Sequence, residues 1–213
     1  MLRSHLPIFC VLALLGLGAV STSVHAAFII TLQQSGNDVV ATGSGTLNTS
    51  AFSDILVDGS SGAGVLLPFE GHLDVGPTTE NPQTPQNVYE GGISGPGVIS
   101  GPGSFGDGGN TFASSGGGDA VALVNTYPGF NLYAPDGYVS GAPPSDTSTW
   151  TNATINSLGV TPGTYTWTWG AGPTADSFTL EVAVPEPAPA GLFLLLFSLF
   201  LSRRRQNRGG HVI

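Results

Sequence analysis

Apolar and polar residues alternate with a period of two through several short stretches of this chain, and those stretches predict strands. In Thr164-Tyr165-Thr166-Trp167-Thr168-Trp169 the alternation is strict, with Tyr165, Trp167 and Trp169 on one face and the threonines on the other. After Gly170-Ala171-Gly172-Pro173 it resumes in Ser177-Phe178-Thr179-Leu180-Glu181-Val182. The two segments predict an antiparallel hairpin whose inner face packs the three aromatics against Phe178, Leu180 and Val182. Residues 28–32 and 38–41, separated by Gln33-Gln34-Ser35-Gly36-Asn37, predict a first hairpin. Residues 55–57 and 65–67, on either side of Asp58-Gly59-Ser60-Ser61-Gly62, predict a second, and Ala120-Val121-Ala122-Leu123-Val124 a further strand. Between 78 and 118 the pattern dissolves: Pro82 and Pro85 interrupt it, and twelve glycines fall between Gly91 and Gly118. Ile93-Ser94-Gly95-Pro96-Gly97-Val98 is echoed by Ile99-Ser100-Gly101-Pro102-Gly103-Ser104, but two copies do not make a solenoid. This segment predicts long, partly mobile loops with short strands near 98–99 and 111–113. The whole predicts an all-β, antiparallel, jelly-roll-like sandwich with glycine-rich loops.

The two ends follow different patterns. Met1-Leu2-Arg3 is a short positive start, 6–20 is an apolar run, and Val24-His25-Ala26 puts small residues at the −3 and −1 positions of a cleavage site between Ala26 and Ala27. Residues 1–26 therefore read as a secretory signal helix. Cys10 lies inside the apolar run behind Pro7-Ile8-Phe9, which does not suit a lipoprotein site. At the other end, the prolines of Val184-Pro185-Glu186-Pro187 lack backbone donors and make a stiff, extended strip. Residues 190–201 are apolar on every helical face, and Arg203, Arg204, Arg205 and Arg208 follow at once. Twelve residues give about 18 Å of helix against a hydrocarbon core of roughly 30 Å, so the segment is short for a permanent span. The arginines hold its end on the cytoplasmic side and snorkel, which places the body outside. A buried C-terminal core helix is the other reading, and arginines abutting a Leu/Phe run suit it poorly.

Taken in order, Pro185-Glu186-Pro187, a short apolar helix and the cluster Arg203-Arg204-Arg205 resemble the PEP-CTERM protein-sorting signal of Gram-negative bacteria. Residues 41–47, Gly137-Tyr138-Val139-Ser140-Gly141, and 158–165 running into Trp167-Thr168-Trp169-Gly170 are similar to phrases repeated in one group of secreted proteins with that tail. The resemblance implies that Val184, Pro185, Glu186, Pro187, Arg203, Arg204 and Arg205 form the sorting signal within a tail at 185–208. It further implies a membrane-embedded exosortase as the partner that reads and cleaves the tail. The exported 27–184 domain would then pass from the inner membrane to the cell surface or the exopolysaccharide matrix. It confers no activity on that domain.

Charge sharpens this picture. The chain has no lysine, and its basic residues are Arg3 and the four tail arginines, so thirteen of its fourteen acids lie in a body with no cation. Nothing there can neutralise a phosphate, which excludes nucleic acid and anionic headgroups as partners of the body. The acids read as keeping a Gly/Ser/Thr surface solvated. Removal of the leader leaves no cysteine, and hence no disulfide or thiolate chemistry. His72 is the body's only imidazole; in a strand it would share a face with Glu70 and Asp74. No nucleophile elbow accompanies it, so it reads as a surface histidine and the body as non-enzymatic. No cofactor is expected. Calcium is the ion whose chemistry suits Asp54, Asp58 and the turn Gly106-Asp107-Gly108-Gly109-Asn110, although no calcium-loop spacing is present. The reading reached is a secreted surface or matrix protein. The alternative is a carbohydrate-binding module with Trp150, Trp167 or Trp169 stacked on sugar faces. A third reading, ice binding through Thr166 and Thr168, has a single Thr-x-Thr pair.

Overall fold

The structure is a computed structural model that describes residues 26–53, 55–59, 64–78 and 85–183, without the side chains of 26 and 57–59. Its regular elements are strands in two sheets, plus two short 3₁₀ turns at Pro68–Glu70 and Gly172–Thr174. Among the described residues no helix is long and apolar enough to cross a membrane. The predicted signal helix and tail helix lie outside them.

The first sheet runs in the order β12 (Gly163–Trp169), β13 (Asp176–Val182), β1 (Ala26–Ser35), β2 (Asp38–Gly45), β11 (Asp146–Trp150), β8 (Ser115–Gly118). The second is β3 (Ile55–Gly59), β6 (Gln86–Glu90), β10 (Phe130–Pro135), β9 (Val121–Asn125), β5 (His72–Val75), β4 (Val65–Leu67), β7 (Thr111–Phe112). Alternation points Phe28, Ile30, Leu32, Trp167 and Phe178 from the first sheet, and Leu73, Val75, Leu123 and Leu132 from the second, into one continuous apolar core. Loop residues Leu47, Phe105, Ile155 and Leu158 complete it.

The β12–β13 hairpin forms as the alternation predicts, with Trp167 opposite Phe178 and Tyr165 opposite Leu180. The first hairpin is longer than expected: β1 and β2 pair out to Ser35 and Asp38 around a two-residue turn in which Gly36 takes φ +62°. Three expectations are corrected. The 55–57/65–67 hairpin does not form, because β3 pairs with β6 while β4 turns through Pro68–Glu70 onto β5. Gly71, left-handed at φ 66°, closes that turn, a conformation an L side chain resists. Next, the sheet is not purely antiparallel, since β1 runs parallel to β13, with Ala26 opposite Asp176 and Leu32 opposite Val182. Finally, 91–118 is not mainly free loop. Ser100 bridges Thr168, and Ser115-Gly116-Gly117-Gly118 forms β8 despite poor strand propensity because Gly116 packs against the Gly76 backbone. Strands occur at Thr111–Phe112 and Ser115–Gly118 and none at 98–99.

Candidate functional site

The tryptophans, first in line for ligand contact on sequence grounds, are core. Trp150, Trp167 and Trp169 are 3%, 0% and 3% exposed. The Trp167 ring meets Phe178, Phe130 and Phe105 at centroid distances of 6.0, 6.1 and 6.5 Å, and its Nε1 donates to the Pro102 carbonyl at 2.9 Å. Trp169 Nε1 donates to the Asn48 carbonyl at 2.9 Å. The carbohydrate reading through stacked tryptophans is thereby overturned: no indole face is open to a sugar, because alternation turned all three inward. Gly101 explains part of this burial. A Cβ there would stand 2.3 Å from Trp167 Cδ1, so only glycine lets the 99–104 segment lie on the indole.

Residues of the 137–141 loop and of β12 meet the chain around residues 47–49. Tyr138 Oη accepts from the Leu47 amide at 3.1 Å and faces the Leu47 and Ala142 carbonyls, and Ser140 Oγ accepts from the Thr49 amide at 3.0 Å. Burial raises the Tyr138 phenol above its ordinary value, with the charge of Asp176 adding to that and the Leu47 backbone opposing it. The Asp176 carboxylate accepts from the Asn48 and Ser177 amides. These residues pin loops to the sheet.

Sequence reasoning missed the buried carboxyls. Asp74, Asp146 and Asp176 are 0%, 1% and 5% exposed, so the reading of every acid as a solvated surface group is wrong for these positions. Asp146 sits on the core side of β11 opposite Gly43, where a Cβ would fall 1.8 Å from its Oδ1 and 2.7 Å from Phe28 Cζ. Neither carboxyl oxygen makes a hydrogen bond of ordinary geometry, although the Gly43 and Asp146 backbones lower its pKa somewhat. Burial dominates and, with a smaller push from Asp119, raises it to about 8. The sequence signal was available in outline: 146, 148 and 150 alternate inward, ending on a tryptophan.

On the opposite face of the second sheet stand His72 and Asp74, both on β5. Glu70 lies in the 3₁₀ turn before them, so the shared face expected for 70, 72 and 74 holds for the last two alone. His72 is not a free surface residue. Its Nε2 is buried without a hydrogen-bond partner, and burial lowers its pKa. Tyr133, two strands away on the same face, has its phenol raised by burial and then by Asp74 and Glu90. Among the described residues no group of three or more His, Cys, Asp or Glu could hold a metal ion. In the 106–110 turn the amides of Asp107 and Gly108 donate to the Gly159 carbonyl, at 3.0 and 3.1 Å, which ties the turn to the 158–160 loop. Asp54 and the Asp58 side chain lie outside the described residues.

Two shallow grooves lie on the surface. One, of about 470 Å³, is lined by Thr31, Pro162, Gly163, Glu181, Val182 and Ala183; the other, of about 560 Å³, by Gln34, Asn37, Asn152 and the 154–156 loop. Ala26, last residue of the predicted leader, begins β1, so cleavage before Ala27 would shorten that strand by one residue. Val184, Pro185, Glu186, Pro187, Arg203, Arg204 and Arg205 lie outside the described residues. Comparison with protein-family models, with curated proteins and with solved structures returns no match for this chain.

Proposed function

We propose that this chain is a secreted, non-enzymatic structural or interaction protein of the cell surface or exopolysaccharide matrix. A signal peptide exports it across the inner membrane, and an exosortase sorts it through Pro185-Glu186-Pro187, the short apolar run and Arg203 to Arg205. The exported body is a jelly-roll-like sandwich of the two sheets, framed by the signal helix and the short membrane helix of the tail. The tail holds the protein in the membrane transiently, until cleavage releases it.

The observation that carries this reading is the way the body ends. The Ala183 amide, just past β13, donates to the β1 carbonyl of Leu32 at 2.9 Å, the last bond of this pairing among the described residues. In a parallel ladder the next donor toward β1 is two residues on, and residue 185 is a proline with no N–H to give. The described ladder thus reaches the residue just before Val184, and the sequence after it offers no donor at 185 to extend it, which suits a recognition strip that begins there. An apolar run too short to span comfortably but halted by arginines suits a segment held for processing rather than a permanent anchor.

The test follows the mass and location of the mature chain in cells with and without their exosortase. Replacing Arg203, Arg204 and Arg205 by alanine should release unprocessed protein, and replacing Glu186 should leave it membrane-held and uncut. Identical mature mass and location in both cell backgrounds would overturn the proposal.

A further inference from the structure

The sheet register brings together on one surface threonines that are scattered along the sequence. Opposite the core face of the first sheet, Thr31 of β1 pairs with Thr42 of β2, which pairs with Thr147 of β11. On the other side Thr31 pairs with Glu181, which pairs with Thr164. This is a transverse row crossing β12, β13, β1, β2 and β11. The adjacent row begins with Thr166 and Thr179, whose hydroxyl oxygens are 3.1 Å apart. Thr42, Thr147, Thr164 and Thr166 are exposed and Thr31 and Thr179 half-exposed. Glu181 is the one ionisable side chain in either row, in a body that carries thirteen acids and no cation.

We propose that this face binds a neutral, hydroxyl-rich polysaccharide laid across the strands. A threonine hydroxyl both donates and accepts, matching sugar hydroxyls, while its methyl offers an apolar contact to ring C–H groups. Adjacent strands lie about 4.8 Å apart, so the row repeats at about the rise of one ring in an extended glycan. The near absence of charge selects against acidic polymers, which the rest of the body repels. A twisted sheet favours a chain that can follow a saddle over a rigid planar lattice such as ice. The proposal deepens the matrix reading by naming the ligand class and the surface, and it rests on that reading for where the polymer is met.

The test uses the full-length chain in mild detergent, sedimented with insoluble neutral glucans and, in parallel, with alginate. The variant Thr42→Glu/Thr147→Glu puts two carboxylates on exposed positions without touching the core. The expected result is retention by at least one neutral glucan, at least tenfold weaker in the variant, with no retention by alginate. Circular dichroism establishes that the variant is folded; if it is not, Thr42→Lys alone takes its place with the same loss expected. Failure to bind any neutral glucan, equal binding by wild type and a folded variant, or shaping of ice crystals without glucan binding would each overturn the assignment. The sorting experiment reads mass and location, so its failure is distinguishable from loss of binding here.

Discussion

Asp146 offers a quantitative test, because its carboxyl is buried in the core and its pKa is pushed to about 8 from an ordinary 3.8. The sign follows from proton counting. From about pH 4 to about pH 8 the unfolded chain has released this proton while the folded chain keeps it, so stability falls as pH rises and levels off above pH 8. The full gap corresponds to an upper bound of about 5–6 kcal/mol at 1.36 kcal/mol per pH unit. The informative window is pH 7 to 9. Lowering of the His72 pKa costs stability only below its ordinary value near 6.5, and the raised Tyr133 and Tyr138 phenols cost it only above pH 10. Between pH 7 and pH 8, with a midpoint at 8, wild type should lose about 1 kcal/mol, or about 0.5 M in urea midpoint for a slope of about 2 kcal/mol/M. Asp146→Asn keeps the shape and removes the titration, so its midpoint should stay level over the same window. Urea unfolding of both proteins at pH 6.5, 7, 8 and 9 decides the matter; parallel pH profiles would refute the argument.

Trp167→Ala should cost about 3–5 kcal/mol, since it empties a fully buried indole site and leaves the Pro102 carbonyl without its donor. A loss under 1 kcal/mol in urea unfolding would contradict the packing described. Gly101→Ala should cost about 1–3 kcal/mol through its clash with the same ring, whereas Gly103→Ala, with nothing within 4 Å, should be close to neutral; equal midpoints for the two would place the 99–104 segment off the indole. The processed body should resist trypsin completely, because no Lys or Arg lies between Ala27 and Val184. Fragments of the body on a gel would show that the processing boundaries are misplaced.

What the sequence revealed depended on whether the signal was local. Alternation in 164–169 and 177–182 specified a hairpin because both strands and their turn lie within twenty residues, and the inward face was evident from the aromatics. The same alternation turned Tyr165, Trp167 and Trp169 to one inner face, but the complete burial of Trp167 and Trp169, and any burial of Trp150, required knowing what covers them. Part of that cover is the 99–104 segment, whose glycines read as flexibility when their role at 101 is to leave room for a ring. The buried acids were legible at most in outline, for a related reason. Aspartate is ordinarily exposed, and nothing near Asp146 in sequence shows that Gly43 and Phe28 will close over it. The threonine rows are a matter of register, which a period of two cannot supply.

The parallel pairing of β1 with β13 is the least legible feature and the one with the widest consequence. It joins the first described strand to the last, so the centre of the first sheet closes only when the chain through Val182 is present. Loop closure over that separation is slow compared with local hairpins. Until then β12 and β13 can pair with each other, and β1 with β2, but neither hairpin buries both faces of its neighbours. Under the proposed export route this order is useful, because a body that cannot complete its core before its last strand emerges stays threadable until translocation is nearly finished. Completion of the core and arrival of the tail at the membrane then coincide in the chain. The last described ladder bond, Ala183 to Leu32, is followed two residues later by the proline that opens the proposed sorting strip. Pro185→Ala restores the missing donor and should let the ladder run on toward Gln34, drawing Glu186 against the sheet. Exosortase-dependent cleavage of this variant should slow while the urea midpoint holds or rises. Unchanged cleavage would mean that Pro185 has no part in separating the signal from the fold.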